Sequence, residues 1–354
     1  MHVPESKDCI DPVSLNKLAD SYDANTPADE PPVTPPFWKT PFTGECYAPQ
    51  TLLSVFNGRE SVPDPTTRLI MFSPPFRLDG PITDDNFHYL VAHYVQQRCG
   101  TEAANNAELL RRDEEQHISK WDVSRVTDMS GLFKEAHYFD QPIGGWDVGN
   151  VTNMREMFED ARSFNQPIGG WDVGNVDTME SMFSNAVAFD QPIGEWDVAN
   201  VTDMSQMFYR ASSFNQPIGE WRGKTGRVTT MMMMFDGALN FDRPIGEWNV
   251  GSVTNMFGMF AESLTFNRPI GEWDVSKVKN MSYMFYMAVS FDQPIEKWNV
   301  GNVTDMSHMF DMTESFNQRI GWTIRRGTDV SEMFTHASGF DPSNDRMKYA
   351  REEE

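Results

Sequence analysis

The sequence has little of what disulfide-rich, nucleic-acid-binding and membrane-spanning proteins require. It contains three cysteines in 354 residues, Cys9, Cys46 and Cys99, and none stands in a CxxC or CxxH spacing, which argues against a disulfide framework or a zinc site. Because 29 basic residues oppose 52 acidic ones, the net charge of −23 disfavours nucleic acid or an anionic membrane as a partner. No apolar run approaches the roughly 20 residues that cross a bilayer.

Catalytic motifs are missing as well. The seven histidines form no HExxH motif and no ordered triad, and no glycine pair belongs to a GxGxxG or GxxxxGK[ST] phosphate-binding pattern. We therefore expect a protein that is not an enzyme and that carries no cofactor and no metal ion. The first residues also lack a basic segment followed by an apolar one, so we expect an intracellular or virion-associated protein rather than a classically secreted one.

What the sequence has instead is one 25-residue unit, repeated in tandem. The unit reads WDVGNVTNMREMFEDARSFNQPIGG from Trp146 to Gly170. Its tryptophan recurs nine times, at Trp121, Trp146, Trp171, Trp196, Trp221, Trp248, Trp273, Trp298 and Trp322. Since a period of about 20 to 29 residues is typical of stacked supersecondary units, the sequence predicts a repeat protein.

Two spacings within the unit predict two kinds of structure. Ile143, Trp146 and Val148 follow the LxxLxL pattern of a leucine-rich-repeat strand. From Met154 to Phe164 the apolar residues recur at i, i+3, i+4, i+7 and i+10, as on one face of a short helix or of successive helical turns. The predicted fold class is an α/β repeat solenoid that is leucine-rich-repeat-like. Its nine rungs of ~25 residues carry a parallel sheet on one face and short helices on the other, after a helical N-terminal cap.

Four regions follow from composition and pattern. Residues 1–83 are predicted to be a proline-rich, partly disordered N-terminal arm, and residues 84–120 a helical N-terminal cap for the first rung. Residues 121–341 form the nine-repeat solenoid, and residues 342–354 a charged C-terminal tail that closes it.

One column of the repeats alternates between acid and amide. It reads Asp140, Asn165, Asp190, Asn215, Asp242, Asn267, Asp292, Asn317 and Asp341. Alternation halves the repulsion between neighbouring carboxylates, and either residue suits a turn because its side chain binds its own backbone two residues on. A row of calcium ligands is the alternative, and we favour the turn.

A second column gives the candidate binding residues. In each predicted strand the residue between Trp and Val points away from both of them, toward solvent on the concave side of the sheet. With the residue before each Trp it forms an acidic face, named here by Asp147, Asp172, Glu195, Asp197, Glu220, Arg222, Glu247, Glu272 and Asp274. A merely solvated face is the alternative. Stacked like charges cost tenths of a kcal/mol per pair, however, so a basic partner or a cation would favour such a column.

The repeat resembles the tandem 25-residue repeats of the BspA-type leucine-rich-repeat surface proteins, many of which are mycoplasma lipoproteins. The resemblance extends from Trp121 to Phe340 and rests on the W-D-V, N-V-T, M-F and F-N-Q elements quoted above. It implies a non-catalytic scaffold used in adhesion or protein–protein contact. The sequence departs from the bacterial members in showing neither a signal peptide nor a lipobox cysteine near its start.

Two functions are therefore open. The first is a protein–protein interaction scaffold whose acidic concave face binds a partner with a basic surface. The second is a structural component of an assembly, such as a virion or a cell-surface layer, that packs through its repeats and its N-terminal arm. The expected partners are proteins, and neither nucleic acid nor a membrane span is expected.

Overall fold

A computed structural model describes residues 81–96 and 117–350 of the chain. The chain divides into two compact units, one of residues 1–80 and 89–116 and one of residues 81–88 and 117–354. The predicted N-terminal arm, apart from its last three residues, and residues 97–116 of the predicted cap lie outside the described residues. None of the helices in the described part is long and apolar enough to cross a membrane.

The first element is helix α1, Asp84–Gln96. It begins where the sequence predicts, because the carbonyl of Thr83 accepts from the amides of Asn86 and Phe87 at 3.1 and 3.0 Å. In return, the Thr83 amide donates to Asn86 Oδ1 at 3.0 Å. This reciprocal pair satisfies amides that a helix start leaves without intrahelical partners.

The interior of the repeats confirms the predicted inward positions. The nine repeat tryptophans are at most 6% exposed, and the paired methionines and phenylalanines of the inner repeats are fully buried. Equivalent rings stack from one repeat to the next, as Phe208 does on Phe183 and Phe235 at centroid distances of 5.8 and 5.6 Å. Each tryptophan after the first also donates its indole N–H to the carbonyl of an isoleucine 27–30 residues earlier, as Trp196 does to Ile168 at 3.2 Å. Each repeat is thus a layer that hides its apolar side chains between its neighbours.

The predicted short helices are wrong. The turn segment of each repeat, Met154–Phe164 in the second, is a series of overlapping turns, and two of its residues have positive φ, here 57° at both Glu156 and Asp160. A left-handed residue every fourth position ends any right-handed helix. The i, i+3, i+4 spacing did not distinguish the two structures, because three-residue turns also return side chains to the same face.

The backbone amides of the turn segments join the repeats. At each of the eight junctions, four amides at alternate positions donate to carbonyls of the next repeat. Between the second and third repeats the donors are Met154, Glu156, Phe158 and Asp160, and the acceptors are Thr178, Glu180, Met182 and Ser184 at 2.8–3.2 Å. A continuous helix would use these amides within the segment. Here they form a ladder along the stack, and all of them point toward the C-terminal end.

The predicted strand position is also wrong. The amides of Trp146 and Val151 donate to the carbonyls of Ile143 and Val148, three residues earlier in the chain. The segment Ile143–Val148 therefore forms turns. The parallel pairing lies just before the turn segment instead, in a row of eight isolated bridges from Asp128↔Asn153 to Asp305↔Asp329. The regular strands in the described part are β1, Thr323–Ile324, and β2, Lys348–Tyr349, which pair in parallel.

The start of α1 acts as a substitute for a missing repeat. In the second to eighth repeats the residue at the Thr127 position donates its amide to its equivalent in the preceding repeat, as Thr152 does to Thr127 O at 2.8 Å. The first repeat has no predecessor, and Asp84 accepts from the Thr127 amide and hydroxyl at 2.8 and 2.6 Å and from the Asp128 amide at 3.1 Å. Beside it, Phe87 packs against Trp146 at 5.5 Å. These contacts are what a capping element requires.

The C-terminal end is built differently. Residues 342–350 continue the repeat pattern past the predicted boundary of the solenoid, and the amides of Lys348 and Ala350 donate to Trp322 and Ile324. In the ninth turn segment, however, the amides of Val330, Glu332, Phe334 and His336 have no acceptor among residues 81–96 and 117–350. The ring of Phe334 is half-buried, whereas its equivalents in the preceding repeats are at most 1% exposed.

Candidate functional site

The nine residues of the predicted acidic face all lie at the surface. Each is exposed to solvent, while the tryptophan beside it is buried. Because the segment that carries them is a turn and not a strand, the face is a column of turns stacked along the repeats. The prediction that these residues lie on strands of a sheet is therefore wrong.

The aspartates of this face also support their own turns. Asp147, Asp172 and Asp197 each accept, through Oδ1, from the amide two residues on, at 3.1, 3.1 and 3.3 Å. Asp274 does the same with Ser276 at 3.1 Å, and the hydrogen bonds from Ser276 hold the pKa of Asp274 below its usual value. This local bond is the one that Asp and Asn side chains form in turns. These four carboxylates thus have a structural role beside any binding role.

The glutamates of the face are free of such bonds, and cations of the chain reach some of them. Arg222 Nη1 lies 3.0 Å from Glu247 Oε2, and Lys297 pairs with Glu272. Lys224, in the fifth repeat, lies 4.0 Å from Asp197. Exposed pairs of this kind contribute about 0–1 kcal/mol. In the described part, Glu195 and Glu220 have no ion pair, so these two carboxylates remain open to a partner.

The alternating Asp/Asn column does something that the sequence reasoning missed. Each side-chain oxygen accepts from the backbone amide of the next member of the column, as Asp140 does from Asn165 and Asn165 from Asp190, both at 2.9 Å. The predicted bond to the residue two positions on occurs at the last member, where Asp341 accepts from Ser343. No group of three or more His, Cys, Asp or Glu residues that could hold a metal occurs in the described residues. The column therefore links successive repeats by hydrogen bonds.

The outer side of the turn segments is a second surface, and its first half is charged. Lys134 lies 2.7 Å from Glu156 and 2.8 Å from Glu159, and Arg155 lies 2.9 Å from Glu156 and 3.3 Å from Glu180. Here residues from three consecutive repeats neutralise one another. This is the ordinary arrangement of a solvated protein surface.

From the fifth repeat to the eighth the same surface carries a group of apolar side chains. We call this area the apolar patch and define it by Leu239, Phe257, Leu264, Tyr283, Tyr286 and Met312. Leu239, Leu264 and Met312 are 37–40% exposed. The ring of Tyr283 lies 5.7 Å from Phe257 and 5.6 Å from Tyr286, so the aromatic members form one cluster.

Two buried carboxylates border the apolar patch. Asp236 is 9% exposed, and in the described part no donor forms a hydrogen bond with its carboxylate. Burial, with Glu262 nearby, raises its pKa from 3.8 to about 7, although Arg210 acts in the opposite direction. The guanidinium of Arg210 lies over the ring of Tyr209, 5.1 Å from its centroid. The nearest cation is thus engaged elsewhere.

Asp311 occupies the same position three repeats later. It is 6% exposed, His308 Nδ1 lies 3.0 Å from its Oδ2, and its Oδ1 is buried without a hydrogen bond. His336 Nδ1 lies 3.5 Å from that oxygen, which is an ion-pair contact and too long for a strong hydrogen bond. The ring of His308 stacks on Tyr283 at 4.6 Å, which connects Asp311 to the patch.

A comparison of the residues at each position of the aligned repeats would have revealed this surface. The position of Leu239 holds arginine in the second repeat, valine, serine, leucine and leucine in the next four, and valine in the seventh. The predicted helix hid this pattern, because the sequence reasoning assigned every apolar column of the turn segment to the interior.

Comparison with known proteins places the repeats in one family. The family model described as Mycoplasma protein of unknown function, DUF285, matches four overlapping stretches, residues 104–221, 192–287, 222–321 and 265–352. No curated protein and no solved structure matches the chain.

Proposed function

Because the chain belongs to the DUF285 family of Mycoplasma-type repeat proteins, we propose that it is a non-catalytic protein–protein interaction scaffold. The partner is a protein with a basic surface, and it binds along the acidic face. The observation that carries this proposal is the column of exposed Asp and Glu side chains on successive repeats, where Glu195 and Glu220 lack any ion pair in the described part.

Physical reasons favour a protein partner over a small ligand. The face is a column of turns with its side chains in solvent, whereas small molecules are bound in concave, mostly apolar pockets. Apart from Arg222 its charges have one sign, and like charges at this spacing repel. A basic protein surface would relieve that repulsion and would be steered to the face by the net charge of −23.

The test is a charge-neutralising variant with a matched control. In the first variant Glu195, Glu220, Glu247 and Glu272 are all changed to Gln. The control removes the same number of charges from other surfaces, with Glu135, Glu159, Glu180 and Glu314 changed to Gln. We expect the first variant to bind co-purifying basic partners at least about tenfold more weakly, chiefly through a slower association rate.

The salt dependence gives the second readout. Binding by the unaltered chain and by the control should weaken steeply between low and physiological salt, and binding by the first variant should weaken less. Equal affinities and equal salt dependence for both variants would remove the acidic face as the binding surface.

A further inference from the structure

The apolar patch is a feature that the acidic face does not explain. Monomeric proteins expose single apolar side chains commonly but contiguous apolar patches rarely, and such patches mark interaction sites. Tyr, Phe and Met, which make up most of this patch, are the residues enriched at the centres of protein interfaces. The charged half of the same surface shows that the turn segment does not itself require apolar side chains on its outer side.

The two bordering carboxylates indicate which charged groups such a partner must have. Asp236 and Asp311 are both buried. In the described part no donor forms a hydrogen bond with the Asp236 carboxylate, and Asp311 Oδ1 has no hydrogen bond, although His308 pairs with Oδ2 and stacks on Tyr283 of the patch. A buried carboxylate without a partner is costly, and a charge-assisted hydrogen bond from Lys or Arg is its usual remedy. Three repeat spacings, about 15 Å at the distance between stacked strands, separate the two positions.

We propose that the apolar patch is a second binding surface, for a polypeptide segment with aromatic or aliphatic anchors and with two Lys or Arg side chains about 15 Å apart that reach Asp236 and Asp311. The anchors fill the space between Leu239, Leu264 and Tyr283. One cation pairs with Asp236, and the other reaches Asp311 Oδ1, which His336 contacts only at 3.5 Å. Hydrophobic anchors at the centre and desolvated charges at the edge are the usual anatomy of a tight interface.

This surface lies on the outer side of the turn segments, and its residues are different from those of the acidic face. The two surfaces also select partners differently, since the acidic face requires positive charge and the patch requires apolar side chains first. Failure of either proposal therefore leaves the other standing.

The experiment uses a phage-displayed library of random 16-residue peptides, selected against the full chain. We expect enriched peptides to carry at least two aromatic or aliphatic residues together with Lys or Arg. Leu264→Lys should lower their affinity at least tenfold. Val187→Lys is the matched control, because Val187 occupies the same position in the third repeat, is 39% exposed and lies outside the patch. It should leave the affinity unchanged.

The carboxylates are tested in the same assay. Asp236→Asn together with Asp311→Asn should lower the affinity at least fivefold and should remove the preference for Lys and Arg in a repeated selection. Enrichment that Leu264→Lys does not affect would overturn the proposal. So would enrichment lost in the Glu→Gln variant of the acidic face alone, a result that would support the proposed function. A concentration-dependent dimer in sedimentation, abolished by Leu264→Lys, would assign the patch to a second copy of the chain and would also overturn it.

Discussion

Gly169→Ala should lower the free energy of unfolding by about 3 kcal/mol or more, whereas Gly170→Ala should leave it unchanged or raise it slightly. A Cβ at Gly169 would lie 2.2 Å from the carbonyl oxygen of Pro192 in the next repeat, and one at Gly170 would meet nothing within 4 Å. The obstacle is backbone, so a rotamer change cannot relieve it. The two repeats would have to move apart, and that loosens the packing on both sides.

The chain itself contains a control for this prediction. Glycine holds this position from Gly144 to Gly271, but the seventh repeat has Glu296 there. There the following repeat has Arg319 in place of proline, which frees the backbone φ that proline fixes. We therefore expect Pro192→Arg to restore part of the stability lost in Gly169→Ala. Both effects are measured by thermal and urea unfolding of Gly169→Ala, Gly170→Ala, Pro192→Arg and the double variant Gly169→Ala with Pro192→Arg. Equal midpoints for Gly169→Ala and Gly170→Ala would contradict the close packing of the repeats.

Asp236→Asn should stabilise the protein by about 2–4 kcal/mol at pH 8 and by little at pH 4. Burial raises the pKa of Asp236 from 3.8 to about 7, so the folded state favours the protonated carboxyl. Below pH 3.8 both states carry the proton and Asp236 makes no difference. As the pH rises from 3.8 to 7, the unfolded chain releases its proton first, and the native state loses stability. Above pH 7 the loss is complete, and asparagine avoids it.

The measurement is urea unfolding of both proteins between pH 4 and pH 8. The control is Asp122→Asn: this exposed carboxylate accepts hydrogen bonds from Ser124, and its pKa is held below the usual value. Its substitution should not stabilise the protein at pH 8. A gain at pH 8 for Asp236→Asn that does not shrink toward pH 4 would have a cause other than ionisation. A carboxylate that weakens the fold at neutral pH is a cost that binding of a cation would offset.

Much of the architecture could be predicted from the sequence, because a residue that recurs at the same position of every repeat has the same surroundings in each of them. The period, the burial of the tryptophans and the inward direction of Met157 and Phe158 follow from recurrence alone, whatever the backbone does between them. The backbone itself could not be predicted from that pattern. A three-residue turn and a helical turn place side chains at nearly the same angles, and non-glycine residues such as Glu156 rarely adopt positive φ.

The site was predicted less completely than the fold. The exposure of the acidic face follows from its position between two buried residues. The bond from Asp147 to its own turn could have been predicted from the turn chemistry of Asp, but the sequence reasoning assigned the residue to a strand. The bonds along the Asp/Asn column could not be predicted, because they join residues 24–27 positions apart whose backbones meet through the turn ladder. To predict the apolar patch, one would have had to know that the outer side of the turn segment faces solvent.

Amide hydrogen exchange at Phe208 and Phe334 tests the central claim most directly, that amides of each turn segment are bound by the next repeat. The two residues occupy the same repeat position. The Phe208 amide donates to Met234 O at 2.9 Å, and the Phe334 amide has no acceptor in the described part of the chain. We expect Phe208 to exchange at least about a thousandfold more slowly than Phe334, since its opening requires the stack to unfold. Equal exchange rates at the two amides would contradict the stacked arrangement.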